Sequence, residues 1–457
     1  MAWTVNNGKI YMSSNLYTGN SNATSHTVGF QPDFTWLKVR NATGGHYLFD
    51  AIRGATKNIR SDSTNAEATD AQTLKSFDSN GYTVGTSNSV NTNGELMAGF
   101  NWKAAGATPS NTYVVKVVSD SGNKYRFDNF GASAVTLEIS EGGTFTFDQA
   151  DSSNNGHPLR FATQADGANS SQYTTGVTTN GTPGQAGAYT RITVAASAPT
   201  LFYYCTNHSG MGGQANTPTT NSFSNFSGTI QTNISPNTTS GFSIVTYTGT
   251  GNVATVGHGL GVKPDFVIIK ELSNANSWFV YHQSLGATHY LYLNDTDASA
   301  ANSNFFQNTE PTSTLCTIGT DNVVNRSSSS YIMYAFAEVQ GFSKMGSYTG
   351  NGSTDGTFIY TGFKPAFVMS KCTSHAGEDW NINDDKRPGY NVIQNALLPN
   401  SDAAEVTASF QAIDTLSNGF KWRGTNDRVN ASGKSYIYMA FADSPFVGSN
   451  FNPATAR

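Results

Sequence analysis

An all-β fold is what this sequence predicts: tandem β-sandwich modules in three related repeats, with a separate Greek-key sandwich set between the first and second. Three observations lead there. Short aromatic and β-branched runs alternate with clusters of Gly, Asn, Ser and Thr, and no long stretch carries an apolar period of 3.6 residues. Four landmarks also recur three times, in the same order, along the 457 residues. Runs of this kind are what strands and tight turns need, and recurrence in fixed order is the signature of a repeated module. A chain of this length has room for roughly three to four separate cores.

The first landmark is Tyr-Thr-Gly, beginning at Tyr17, Tyr247 and Tyr348. The second is a Pro-x-Phe segment ending in Lys, over 32–38, 264–270 and 365–371. The third is Gly-Thr-x-x-x-Val-Asn, over 85–91, 319–325 and 424–430. Each copy closes on an aromatic-rich segment at 97–102, 331–336 or 436–441. Proline heads its strand where a missing N–H does no harm. The closing segments are apolar on both faces, which predicts a strand central to a packed sheet. Asn80-Gly81 and Asn418-Gly419 offer the positive φ of a hairpin turn, a pair that copy two lacks. The recurrent Lys38, Lys270 and Lys371 are expected at strand ends with their charge in water, the alternative being a shared binding position. The landmarks delimit repeats over 1–104, 241–345 and 346–457.

Between copies one and two the pattern changes. Residues 104–111 read as a linker, 112–218 as a domain, and 219–240 as a second linker rich in Ser, Thr and Asn. Strand candidates in the domain are 113–118, 125–127, 134–139 and 144–147, followed by the segments 156–161 and 201–213. Here His157 is followed by Cys205, His208 and Met211 in a Cys-x-x-His-x-x-Met arrangement. Two imidazoles, a thiolate and a thioether are the donors of a trigonal copper centre with a weak axial methionine. A cysteine at a strand end, with His and Met in the tight loop after it, lets three donors converge while the distant His arrives from a neighbouring strand. The plainer alternative is a packed, metal-free cluster. The segments His-Pro-Leu-Arg-Phe at 157–161 and Tyr-Tyr-Cys-Thr-Asn-His-Ser-Gly-Met at 203–211 resemble the cupredoxin family. That resemblance implies a cupredoxin-like Greek-key sandwich, copper as cofactor, and His157, Cys205, His208 and Met211 as its ligands.

Composition excludes several classes of function. A net charge of −5, with no Lys/Arg cluster, argues against nucleic acid. No apolar run approaches the ~18 residues that a membrane helix requires, so no membrane insertion is expected. Met1-Ala-Trp-Thr has no basic stretch leading into an apolar one and does not read as a signal peptide. Cys205, Cys316 and Cys372 are too few and scattered for a disulfide framework, which points to synthesis in a reducing cytoplasm. No Gly-x-Ser-x-Gly elbow or His-Glu-x-x-His is present. Gly433-Lys434-Ser435 lacks the first glycine of a phosphate loop and leads into a strand. Glu378, Asp379, Asp384 and Asp385 could suggest glycoside hydrolysis, but copies one and two have no such cluster, so a solvated loop is expected. No catalytic site, and no enzyme, is expected.

The segment 29–38 (Gly-Phe-Gln-Pro-Asp-Phe-Thr-Trp-Leu-Lys), the residues 46–50 and 53–56, and Ser417-Asn418-Gly419-Phe420 resemble a domain of unknown function that recurs in structural proteins of marine tailed bacteriophages. The His157 and Cys205 segments are similar to a cupredoxin-like module of such proteins. These resemblances imply a virion component made in the host cytoplasm, first of all a tail fibre or host-recognition appendage. A capsid-surface decoration, horn or knob protein is the alternative, and a copper-dependent redox protein a third. The partners implied are other virion proteins, a host surface glycan or protein, and further copies of the chain as a homotrimer.

Overall fold

The computed structural model describes residues 7–106 and 108–443; the opening Met1-Ala-Trp-Thr lies outside the described residues. Nearly every regular element is a strand, and the helical pieces are three to six residues long. In copy one the main antiparallel sheet runs Met12–Thr18, Leu96–Trp102, Phe34–Val39, His46–Asp50, Lys57–Arg60 and Ala68–Thr69. Copy two repeats that order from Phe242–Thr248 and Ser330–Phe336 through Phe266–Glu271 and Phe279–His282. Copy three does so with Ser343–Thr349, Ser435–Phe441, Phe367–Cys372 and Asn381–Asp384. The closing strand is central each time, in one register: Phe34 pairs with Trp102, Phe266 with Phe336 and Phe367 with Phe441.

A smaller sheet covers one face of each main sheet and makes a sandwich with its own core. Leu37, Tyr82 and Val84 fill it in copy one, Val245, Cys316 and Ile318 in copy two, and Phe420, Trp422 and Tyr438 in copy three. The opposite faces of the three main sheets share a single core. Phe34 meets Phe242 with ring centroids 6.0 Å apart, Phe336 meets Phe441 at 5.8 Å, and Trp102 meets Phe367 at 5.3 Å. Each copy therefore touches both others.

The seams show that the copies close into a ring. The Asn276 amide donates to the Thr64 carbonyl, and the Glu67 amide donates back to Leu272. The same exchange joins Gly377 to Thr296 and Ser299 to Thr373, then Gly44 to Asp402 and Glu405 to Arg40. One pair of hydrogen bonds thus recurs at all three seams, as an internal threefold relation requires. Trp278 Nε1 donates across the first seam to the Arg60 carbonyl at 2.9 Å, and Trp380 Nε1 across the second to Tyr292 at 2.9 Å. His46 holds the corresponding register position in copy one, opposite Lys38, and accepts from Trp36 Nε1 at 2.8 Å instead.

This closure overturns the expectation for the repeated lysines. Lys38, Lys270 and Lys371 are fully buried, because strands covered on both faces leave no route to water. Each Nζ donates to the next residue's carbonyl: Val39 at 2.7 Å, Glu271 at 2.7 Å and Cys372 at 3.0 Å. Two also reach across a seam, Lys270 to Thr64 and Lys371 to Thr296. Burial pulls all three ammonium groups down to about 8.

The other landmarks are also used up by folding. The Tyr17, Tyr247 and Tyr348 hydroxyls donate to the carbonyls of Val90, Val324 and Val429 at 2.6, 2.6 and 2.7 Å. The buried Asn91, Asn325 and Asn430 donate to Gly85, Gly319 and Gly424 and accept from the amides of Asn20, Thr250 and Asn351. Each thereby ties the Tyr-Thr-Gly loop to the Gly-Thr loop.

Three further expectations are corrected. Gly81 and Gly419 do not have positive φ; they open a strand, and a Cβ there would meet the His26 or Ile359 carbonyl oxygen at 1.8 or 2.2 Å. Glycine is needed for close strand approach, with Ser79-Asn80 and Ser417-Asn418 forming the turns. The expected linker 219–240 contains the strands Phe223–Asn225 and Thr232–Asn237, which extend the main sheet of copy two. Its few apolar residues suffice, since Phe226, Ile230 and Ile234 are all buried and the Thr232 and Ser235 hydroxyls donate to the Gly257 and Asn221 carbonyls. Asp384 does not stand in a solvated loop. It is buried in an ion pair with Arg387, which also meets Glu405 at 3.0 Å, and copy one repeats the trio as Asp50, Arg53 and Glu67.

The domain between copies one and two is a sandwich of two five-stranded sheets. Its pairings are mixed: Ser110–Ser119 runs parallel to Thr144–Asp148, and Leu137–Glu138 parallel to Gly213–Asn216. The expected linker 104–111 is cut short because the first strand begins at Ser110.

Candidate metal centre

The inserted sandwich brings His157, Cys205 and His208 together at one end. Cys205 closes the strand Leu201–Cys205, whose alternation buries Leu201, Tyr203 and Cys205 in the domain core. His157 precedes the neighbouring strand Leu159–Ala162, and the pairing of Leu159 with Cys205 sets the two side by side. Cys205 Sγ lies 3.8 Å from His157 Nδ1 and 3.6 Å from His208 Nδ1. The imidazole centroids are 4.5 Å apart. Bonds of about 2.3 Å to sulfur and about 2.0 Å to nitrogen, at angles of about 110–120°, separate S and N by about 3.5–3.7 Å, within about 0.2 Å of both distances. The donor set and its spacing therefore fit one bound metal ion. Met211 is buried in the same core, and its carbonyl accepts from the Tyr125 amide at 2.9 Å.

Residues that the sequence pattern did not single out brace this end. Asn207 Nδ2 donates to Gly156 at 2.9 Å and the Thr206 amide to Pro158 at 3.2 Å, tying the two ligand-bearing loops together. The His157 carbonyl accepts from Tyr125 Oη and Gln149 Nε2, both at 2.9 Å. Asp166 accepts from the Gly210 amide at 2.9 Å. Burial raises the Tyr125 phenol, and the adjacent Cys205 raises it further. The His157 ring is lowered by desolvation and then by His208. Both shifts keep these groups neutral, and a neutral imidazole is the form that binds metal. Nothing in the sequence marks Tyr125 or Gln149, because their contacts are made to backbone from other strands.

A model of the family described as Domain of unknown function (DUF7483) matches residues 7–135 and 213–445, most of the chain. The chain belongs to this family. No curated protein and no solved structure matches it. The family's two matched segments hold all three copies and flank the unmatched 136–212. His157, Cys205, His208 and Met211 all fall in that unmatched stretch, so the candidate centre is carried by a part of this chain that the family model does not describe. A second group, His375, Glu378 and Asp427, also gathers ligand atoms within 4.8 Å in copy three. Its His375 and Asp427 side chains are nearly half exposed and 3.8 Å apart.

Proposed function

We propose that this chain is a structural protein of a tailed-bacteriophage virion, a tail fibre or host-recognition appendage without catalytic activity. The observation that supports this most is the fate of the repeated residues. The repeated Tyr, Asn and Lys side chains are spent on backbone hydrogen bonds within and between the copies, which leaves a ring with variable outer loops. Rigid scaffolds that display variable loops suit recognition. The ring gives one polypeptide three related surfaces, so it presents threefold symmetry without needing a homotrimer. Cryo-microscopy of virions, with the chain labelled at its exposed loops, tests this. Density at the tail supports the appendage, density on the capsid lattice supports a decoration protein, and absence from the particle overturns both.

The inserted sandwich is proposed to bind copper through His157, Cys205 and His208, with Met211 as the weak fourth donor. Bound there, the metal would supply a one-electron couple. Adding copper(II) to the purified chain is expected to give an intense blue band that Cys205→Ser abolishes. Failure of the chain to take up copper would refute the assignment.

A further inference from the structure

We propose that the outer face of copy three is a glycan-binding site, with Tyr360 as its stacking platform. The three copies supply an internal comparison. Phe358 and Tyr360 project from the strand Phe358–Tyr360 on either side of the buried Ile359, and Tyr360 is 63% exposed. In copy one the same register positions hold Ser25 and Thr27: Thr27 pairs with Gly81 as Tyr360 pairs with Gly419. That face is polar, and Ser25 bonds to Thr83 at 2.8 Å. In copy two the corresponding strand is covered, since Thr229 and Thr255 exchange hydrogen bonds at 2.9 and 2.8 Å. One scaffold thus folds with the position polar, covered or aromatic. The exposed rings of copy three are not required by the fold.

Beside Tyr360 lies a cavity of about 440 Å³, within the range of small-ligand sites. Glu338, Gln340 and Lys344 line it with carboxylate, amide and ammonium groups, while the Ser343 and Thr361 hydroxyls in its wall bond to the Ala337 and Phe363 carbonyls. Glu338 is fixed in advance by Gln283 at 3.0 Å, the Met345 amide at 2.9 Å and Lys344 at 2.6 Å. Preorganised polar groups bind without the ordering cost of mobile ones. A protein hot spot would ask for a desolvated apolar pocket. An aromatic ring next to a cavity walled by hydrogen-bonding groups suits a pyranose instead, with its C–H face on the ring and its hydroxyls toward the wall. Phe358, about 7 Å along the strand by the two-residue rise, extends the platform for a second sugar. A larger groove of about 840 Å³, where copy one, the inserted domain and copy two meet, is a weaker candidate. Its tyrosines, Tyr247 and Tyr331, are buried and offer no exposed ring for stacking.

This site rests on the recognition reading above, and its test separates the two. The full chain and Phe358→Ser/Tyr360→Thr, which installs the residues of copy one, are applied to immobilised hexose and N-acetylhexosamine oligosaccharides. The wild-type chain is expected to bind at least one of them, and the double variant at least tenfold more weakly, with unchanged circular dichroism. No binding by the wild-type chain, or binding by the variant within twofold, overturns the site. Whole-cell adhesion is measured in parallel. If the variant adheres as well as the wild type, the recognition reading stands and this site falls. If saccharides bind while virions lack the chain, the site stands and the appendage reading falls.

Discussion

Trp380→Ala is expected to lower the stability of the whole ring by about 3–5 kcal/mol, the usual cost of truncating a buried tryptophan. The side chain is 1% exposed and lies in the core shared by the three copies. Its Nε1 also supplies the hydrogen bond to the Tyr292 carbonyl that crosses from copy three to copy two. The loss therefore has two parts, a cavity in the common core and an acceptor left without its donor. Trp380→Phe separates them, because it keeps most of the apolar volume and costs about 1–3 kcal/mol for the unpaired carbonyl. Denaturation followed by circular dichroism reads both variants. Because copy three packs through the common core, a single transition shifted to lower denaturant is expected. A separate early transition for copy three would show that the copies are independent beads, against the closed ring.

Asn325→Ala is expected to cost about 3 kcal/mol or more, since each buried partner left unpaired costs about 1–3 kcal/mol. Asn325 is fully buried. Its Nδ2 donates to the Gly319 carbonyl at 2.7 Å and to Asn252 at 2.5 Å, and its Oδ1 accepts from the Thr250 amide at 2.7 Å. Alanine strands all three groups at the junction of two loops. Asn325→Asp is the sharper probe. It keeps the acceptor for Thr250 but turns a carboxylate toward two carbonyl oxygens, so it should be at least as damaging. Urea titration of both variants decides the matter, and a loss below about 1 kcal/mol in either would remove this asparagine as the tie between the loops.

The asparagine shows why the repeats were legible. Tyr17, Gly85, Asn91 and their counterparts each solve a local backbone problem within one copy, and such problems fix residue type and spacing together. Pro32, Pro264 and Pro365 stand for the same reason before the strands that they introduce. The meeting of Cys205 and His208 was legible too, because they lie within four residues. Strand pairing between Leu159 and Cys205 then delivered His157 from a distance.

The lysines show the opposite case. A Phe-x-x-x-Lys strand end looks the same whether its outer side meets water or another copy. Lys38, Lys270 and Lys371 are buried because neighbours distant in sequence complete the second face of each sheet. The segment 219–240 was hidden by its Ser, Thr and Asn content, which signals a linker unless an open sheet edge is available to receive it. Asp384 likewise reads as one more acid in a cluster until Arg387 and Glu405 are folded around it.

The all-β class, the three copies with their four landmarks, and a candidate donor set in His157, Cys205, His208 and Met211 could all be read from the residues alone. Those features depend on turns, strand ends and short spacings. Folding decided that the copies close around one core, that their lysines are buried, and that, among the described residues, only copy three leaves an aromatic face uncovered. The physical reason is that burial of a sheet's second face depends on what arrives against it from far along the chain, and hydrophobic association carries no label of its partner.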